Sequence, residues 1–181
     1  KSIRESLSLA GIYNNVSVRI HFVNSETITE GNVAEKLGGL QGVMICPGFG
    51  MRGIEGKVVA AHYTRTHDIP TFGICLGMQM MVIEFARNVL GLADANSREM
   101  DEQTPHNVID IMESQKTITE MGGTMRLGAY DCQLRSGSRT ASIYGEETIS
   151  ERHRHRYEFN GEYKDMYEDA GMQCVGTNPE S

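Results

Sequence analysis

Cys75 stands in the frame Gly73-Ile74-Cys75-Leu76-Gly77-Met78-Gln79. An apolar run leads into it and a helical pattern, residues 80–89, leads out. That is the layout of a nucleophile elbow with cysteine in place of serine. Glycines two residues to either side leave room for a sharp strand-to-helix turn and close packing around it. The turn presents the sulfur at the carboxyl edge of a sheet, ahead of a helix N-terminus. The helix dipole there favours the thiolate, which is the reactive form. The competing reading of a lone cysteine is a buried structural thiol; this frame favours the nucleophile.

A second loop could complete such a site. Cys46-Pro47-Gly48-Phe49-Gly50 follows another apolar run. Ligands of open α/β sheets lie beyond the carboxyl ends of strands. A backbone N–H from this loop and the N–H of Leu76 can together form an oxyanion hole, with each donor contributing about 3 to 4 kcal/mol in the transition state. Pro47 has no N–H, so the loop donor must be Gly48 or Phe49. A third cluster is Glu151-Arg152-His153-Arg154-His155-Arg156-Tyr157-Glu158. If it is extended, Arg152, Arg154 and Arg156 share one face and the two histidines the other. Guanidiniums suit a carboxylate or a phosphate. Either histidine is also open as a general base at this point.

The elements that must position these groups read as α/β. Residues 2–11 form an amphipathic helix stopped by Gly11. Residues 16–22 alternate as a strand, and 32–37 are a short helix ended by Gly38-Gly39. Residues 43–46 and 71–74 are continuous apolar runs, as in buried parallel strands, with a helix over 54–65 between them. The second half differs. Strands are expected at 108–111, 124–134 and 139–144, with a turn at Gly122-Gly123. An extended stretch follows over 149–159, then a helix over 162–170 and a strand starting at 172. The fold class is α/β: a mostly parallel open sheet flanked by helices, with an antiparallel extension in the second half. No repeat or linker divides the chain, which reads as one domain over 1–181.

The 181 residues suffice for a real core. A formal charge of −7, from 17 Lys+Arg against 24 Asp+Glu, argues against a nucleic-acid or membrane-surface partner. The four cysteines form no Cys-x-x-Cys pair and have no zinc-like histidine spacing, which fits a cytoplasmic location and no metal.

Together these residues resemble a known family. The Cys75 frame is similar to the nucleophile motif of class I, triad-type glutamine amidotransferases. Three features within that class resemble the glutaminase domain of CTP synthases: Pro47-Gly48-Phe49-Gly50 with Arg52-Gly53-Ile54-Glu55-Gly56-Lys57, Ala95-Asn96-Ser97-Arg98-Glu99, and the Arg-His-Arg-His-Arg-Tyr-Glu block. Arg126-Leu127-Gly128-Ala129 is also similar. The resemblance implies that Cys75 attacks the side-chain amide of L-glutamine, releasing ammonia and leaving a glutamyl thioester. It implies that Gly48 and Leu76 donate to the oxyanion, and that Leu76, Gly77, Met78 and Gln79 line the substrate pocket. Glu99 would face the α-ammonium and Arg156 the substrate's carboxylate. It further implies no cofactor in this domain, a synthetase domain using ATP and Mg2+ to aminate UTP, GTP as an effector with Arg126 in its loop, and a homotetramer.

The chain departs from that pattern in two ways. Pro47 stands where the family usually has a first glycine. The class also uses a His-x-Glu near its carboxyl end, the His as base and the Glu to orient it, and none of the six histidines here stands in such a motif. The expectation is therefore a glutaminase domain lacking its first strand, its C-terminal catalytic segment and the synthetase domain. Two alternatives remain open at this level: a non-catalytic assembly or regulatory module, and a cysteine hydrolase of the same fold.

Overall fold

The computed structural model describes residues 2–111 and 126–179, residues 126 and 127 by backbone alone. Its first half alternates helix and strand: α1 (Ser2–Tyr13), α2 (Val33–Leu37), β1 (Val43–Ile45), α3 (Ile54–Thr66), β2 (Thr71–Gly73), α4 (Leu76–Asn88) and β3 (Ala95–Ser97). The second half carries β4 (His106–Ile111), β5 (Arg126–Leu134), α5 (Arg139–Tyr144), β6 (Thr148–His155), β7 (Tyr157–Phe159), α6 (Lys164–Asp169) and β8 (Gly176–Thr177).

β1 and β2 pair in parallel, Val43 opposite Thr71 and Ile45 opposite Gly73. The N–H of Ile74 continues the ladder to the Ile45 carbonyl at 3.1 Å. Parallel pairing puts both carboxyl ends on one edge, so the Gly48 loop and Cys75 emerge side by side. β3 and β4 are also parallel, with a register shift between Asn96 and Ser97. β7 runs antiparallel to β4, Ile111 opposite Tyr157. β6, β5 and β8 form a separate antiparallel sheet. The parallel first half and antiparallel second half follow the sequence reading.

Helix α4 is the hub of the core. Leu76, Met80, Ile83, Phe85 and Ala86 pack with Ile54 and Val58 of α3, Val108 and Ile109 of β4, and Tyr167 of α6. Met80 and Ile83 are fully buried, each contributing about 1.5 to 3 kcal/mol of transfer free energy. Tyr167 stacks on Phe85 with ring centroids 5.5 Å apart and donates its hydroxyl to the Val82 carbonyl at 2.9 Å. Burial pushes that phenol well above its ordinary value.

Four local expectations change. Gly11 does not stop α1, which runs on to Tyr13. Gly11 is buried because Val18 folds back on it: a Cβ there would lie 2.7 Å from Val18 Cγ2. Residues 16–22 form no ladder among the described residues. Their alternation suits a half-buried strand, but a strand also needs a neighbour for its backbone groups, and Phe22 is 81% exposed. Residues 139–144 are helix rather than strand. Ser138 caps it, its Oγ accepting from the Ala141 N–H at 3.1 Å, and Gly145 ends it in the left-handed conformation. Finally, 95–97 is a strand that the sequence pattern did not single out. The Gly122-Gly123 turn and the start of the 124–134 strand lie outside the described residues.

Candidate active site

Cys75 sits at φ 53° and ψ −113°, one of three non-glycine residues with positive φ among the described residues. A side chain there is strained, and such strain persists only where the surroundings enforce it. The enforcement comes from the two flanking glycines. A Cβ on Gly73 would lie 2.6 Å from the Met78 nitrogen, and one on Gly77 would drive into the Ile45 carbonyl. β2 therefore turns directly into α4, with Cys75 at the N-cap and its side chain exposed. The first N–H groups of α4 have no acceptor within the helix.

The oxyanion loop lies against this turn. A Cβ on Gly48 would sit 3.3 Å from both Leu76 Cδ2 and Lys57 Nζ. Lys57, in the first turn of α3, donates from Nζ to the Cys46 carbonyl at 3.1 Å. Burial lowers its ammonium from the ordinary value, and the nearby thiols of Cys46 and Cys75 pull it back up. Phe49 is 91% exposed at the tip of the loop.

Farther along α4, Leu76, Gly77 and Gln79 are buried while Met78 is 38% exposed. Gln79 donates from Nε2 to the Tyr157 carbonyl at 3.3 Å. Its buried Oε1 has no hydrogen-bond partner among the described residues. A buried acceptor in that condition is an opening for a ligand donor.

Glu99 and Arg156 come from segments far apart in sequence and act on one another here. Partial burial raises the Glu99 carboxyl above its ordinary value, and the Arg156 charge draws it back down. The phenol of Tyr157 is raised by burial first and then by Glu99, with Arg156 opposing. Glu99 is presented by the turn after the bulged β3, where fully buried Ser97 accepts from the Glu99 N–H at 3.2 Å and the Met100 N–H at 2.9 Å. Arg156 is the residue between β6, which pairs with β5, and β7, which pairs with β4. It therefore leaves the row expected of Arg152, Arg154 and Arg156. Arg152 and Arg154 stay exposed on β6, and Arg156 turns inward at the switch between sheets. His153 and His155 lie half-buried on the opposite face of β6, with Nδ1 of one 2.9 Å from Nε2 of the other.

One end of α4 thus gathers Cys75, the Gly48 loop and Gln79, and Gln79 connects them to the Tyr157 backbone beside the Glu99–Arg156 pair. Sequence reading named these residues but missed Lys57 and Tyr157. For Lys57 a signal existed: a lysine in a first helical turn runs against the helix dipole. Tyr157 acts through its carbonyl, which leaves no side-chain signal. Arg126 opens the β5 ladder opposite His155; its side chain lies outside the description. Among the described residues no cluster of three or more His, Cys, Asp or Glu could hold a metal, and no helix is long and apolar enough to cross a membrane.

Comparison with known proteins decides the family. The model of the family described as glutamine amidotransferase class-I matches residues 1–181. The chain belongs to the class-I glutamine amidotransferases. Within that family it is similar to CTP synthases. It is 73% identical to the CTP synthase of Bacteroides thetaiotaomicron and 60% identical to that of Porphyromonas gingivalis, over the whole of this chain and 34% of either relative. The chain spans about a third of the length of these curated relatives. Among solved structures it resembles the glutaminase domain of Trypanosoma brucei CTPS with bound acivicin, at a TM-score of 0.91 and 37% identity. That match covers 98% of this chain and 68% of the other. This class-I glutamine amidotransferase therefore has the mixed α/β fold of CTP synthase glutaminase domains.

Proposed function

We propose that this chain is the glutaminase part of a CTP synthase, with Cys75 as its nucleophile and L-glutamine as its substrate. The observation that carries the reading is the strained Cys75 turn gathered with the Glu99–Arg156 pair, joined through Gln79 and Tyr157. An amino-acid substrate needs one anionic and one cationic partner. Glu99 meets its α-ammonium and Arg156 its α-carboxylate, while Leu76, Gly77, Met78 and Gln79 line the path to Cys75.

The reaction is acyl transfer. The Cys75 thiolate adds to the δ-amide carbon, and the carbonyl π electrons move onto oxygen. Backbone N–H groups of Leu76 and Gly48 receive that oxyanion, each contributing about 3 to 4 kcal/mol. Collapse breaks the C–N bond, and the nitrogen leaves as ammonia after taking a proton. A water then attacks the thioester, giving glutamate and restoring the thiol. The class uses a histidine to move these protons. The ammonia passes to a synthetase domain that uses ATP and Mg2+ to aminate UTP to CTP, with GTP as effector. The whole enzyme is a cytoplasmic homotetramer in this reading.

Acivicin, the compound named in the trypanosomal structure, is the probe. Covalent labelling of Cys75 that glutamine blocks and peptides do not would support the proposal. Labelling indifferent to glutamine would point to a hydrolase of another substrate and sink it.

A further inference from the structure

The sequence holds a cation at an unfavourable place. Lys57 lies in the first turn of α3, where the helix dipole is positive and a basic side chain costs free energy. It is also half-buried, which lowers its ammonium further from the charged form. Both penalties need an offset, and the geometry shows one. Nζ donates to the Cys46 carbonyl at the root of the oxyanion loop, 3.1 Å away. The same nitrogen is 3.3 Å from where a Gly48 Cβ would stand, with Leu76 Cδ2 equally close on the other side. The titratable groups acting on it are Cys46, following β1, and Cys75, at the start of α4. Its neighbours Ile54 and Val58 on α3 and Leu76 on α4 bring no charge.

We propose that Lys57 is a positioning residue of the thiol site: its ammonium fastens the root of the Gly48 loop against α4 and supplies the cation that favours the Cys75 thiolate. The two roles share one cause. A single ammonium between the loop and the elbow keeps the Gly48 N–H beside the developing oxyanion while it faces the sulfur. Opposite charge beside a thiol stabilises the deprotonated nucleophile. The inference deepens the proposed function, since it takes Cys75 as the nucleophile. It does not depend on glutamine being the substrate.

The test is site-resolved alkylation of the full chain by iodoacetamide across pH 6 to 9, read by peptide mass spectrometry. Lys57→Met keeps the stem and removes the charge. It should slow Cys75 alkylation at pH 7 about fivefold and move the rise in rate to higher pH, as expected when a neighbouring cation is lost. Lys57→Arg should keep the rate within about twofold of the parent, because charge is what matters. Cys174, next to β8, should be unchanged in both and so reports an intact fold. Cys75 reacting at the parental rate in Lys57→Met overturns the proposal. So does an equal loss in Lys57→Arg and Lys57→Met with Cys174 unchanged. Should Lys57→Met accelerate Cys174 by loosening the fold, the arginine variant decides alone: parental Cys75 reactivity supports the proposal, and a fall refutes it. If the iodoacetamide pattern holds while acivicin labelling ignores glutamine, the substrate reading fails and Lys57 keeps its role.

Discussion

At the scale of the residue, Cys75 is held in a conformation that an unconstrained cysteine avoids, and its reactivity follows from that restraint. Glu99 offers a pH handle. Its carboxyl is raised above the ordinary 4.5, so it takes up its proton at a higher pH than an exposed glutamate would. Binding an ammonium needs the carboxylate. KM for glutamine should therefore climb as pH falls toward that raised value, with kcat much less affected. Glu99→Gln should raise KM at neutral pH about tenfold, the lower range for losing a hydrogen bond to a charged group, and should erase the acid limb of the KM profile. A pH profile of initial rates for parent and variant checks both. A KM unchanged in Glu99→Gln would remove Glu99 from the ammonium site.

At the scale of the element, the contact of α4 with its neighbours decides whether the site exists at all. Gly77 lets the helix ride directly on the Ile45 carbonyl. Gly77→Ala should destabilise the fold by about 1 to 3 kcal/mol, the usual cost of overpacking, and should slow Cys75 by shifting α4 away from β1. Denaturant unfolding gives the first quantity and alkylation rate the second. Between α3 and α4, Glu84 is almost wholly buried and receives Arg65 Nη2 at 2.7 Å, Arg65 Nε at 2.9 Å and His62 Nδ1 at 2.9 Å. Burial alone would raise its carboxyl; Arg65, His62 and Asn88 more than offset that and hold it below 4.5. A depressed carboxylate adds stability that is present above its unfolded value and lost as pH falls through its folded one. The α3–α4 contact should therefore weaken only on the acid side of 4.5. The pair is asymmetric, with side-chain exposure of 34% for Arg65 against 2% for Glu84. Arg65→Met strands a buried charge and should cost about 3 kcal/mol. Glu84→Gln frees a cation that water can reach and should cost about 1 kcal/mol. Equal losses in urea titrations would contradict this account of the contact.

At the scale of the whole molecule, the proposal concerns coupling. In the longer protein it implies, Cys75→Ala should abolish product formation from glutamine by more than a hundredfold, the order expected for losing a nucleophile. Formation from added ammonium salt should be retained, because the synthetase chemistry needs only the nitrogen. Assaying CTP with each nitrogen source checks this. Loss of both activities would mean that the variant damages more than the thiol, or that the two halves do not divide the reaction as proposed.

The sequence by itself determined the nucleophile, the elbow and the alternating α/β order, because these are local. Glycine spacing sets the Cys75 turn, and apolar runs with intervening helical patterns set β1, α3, β2 and α4. It named Glu99 and Arg156 by resemblance but could not bring them together. It also misread 139–144, where the Ser138 cap and Gly145 stop outweigh the strand propensity of its residues. Only the tertiary structure decided that Arg156 leaves the arginine row, since that depends on β6 and β7 joining different sheets. Only it revealed Lys57 beside Gly48, because that contact requires α3 to pack across β1 and α4. Short-range order is written in neighbouring residues. A site assembled from β3, the β6–β7 junction and two strand ends is written in long-range packing, which no local pattern encodes.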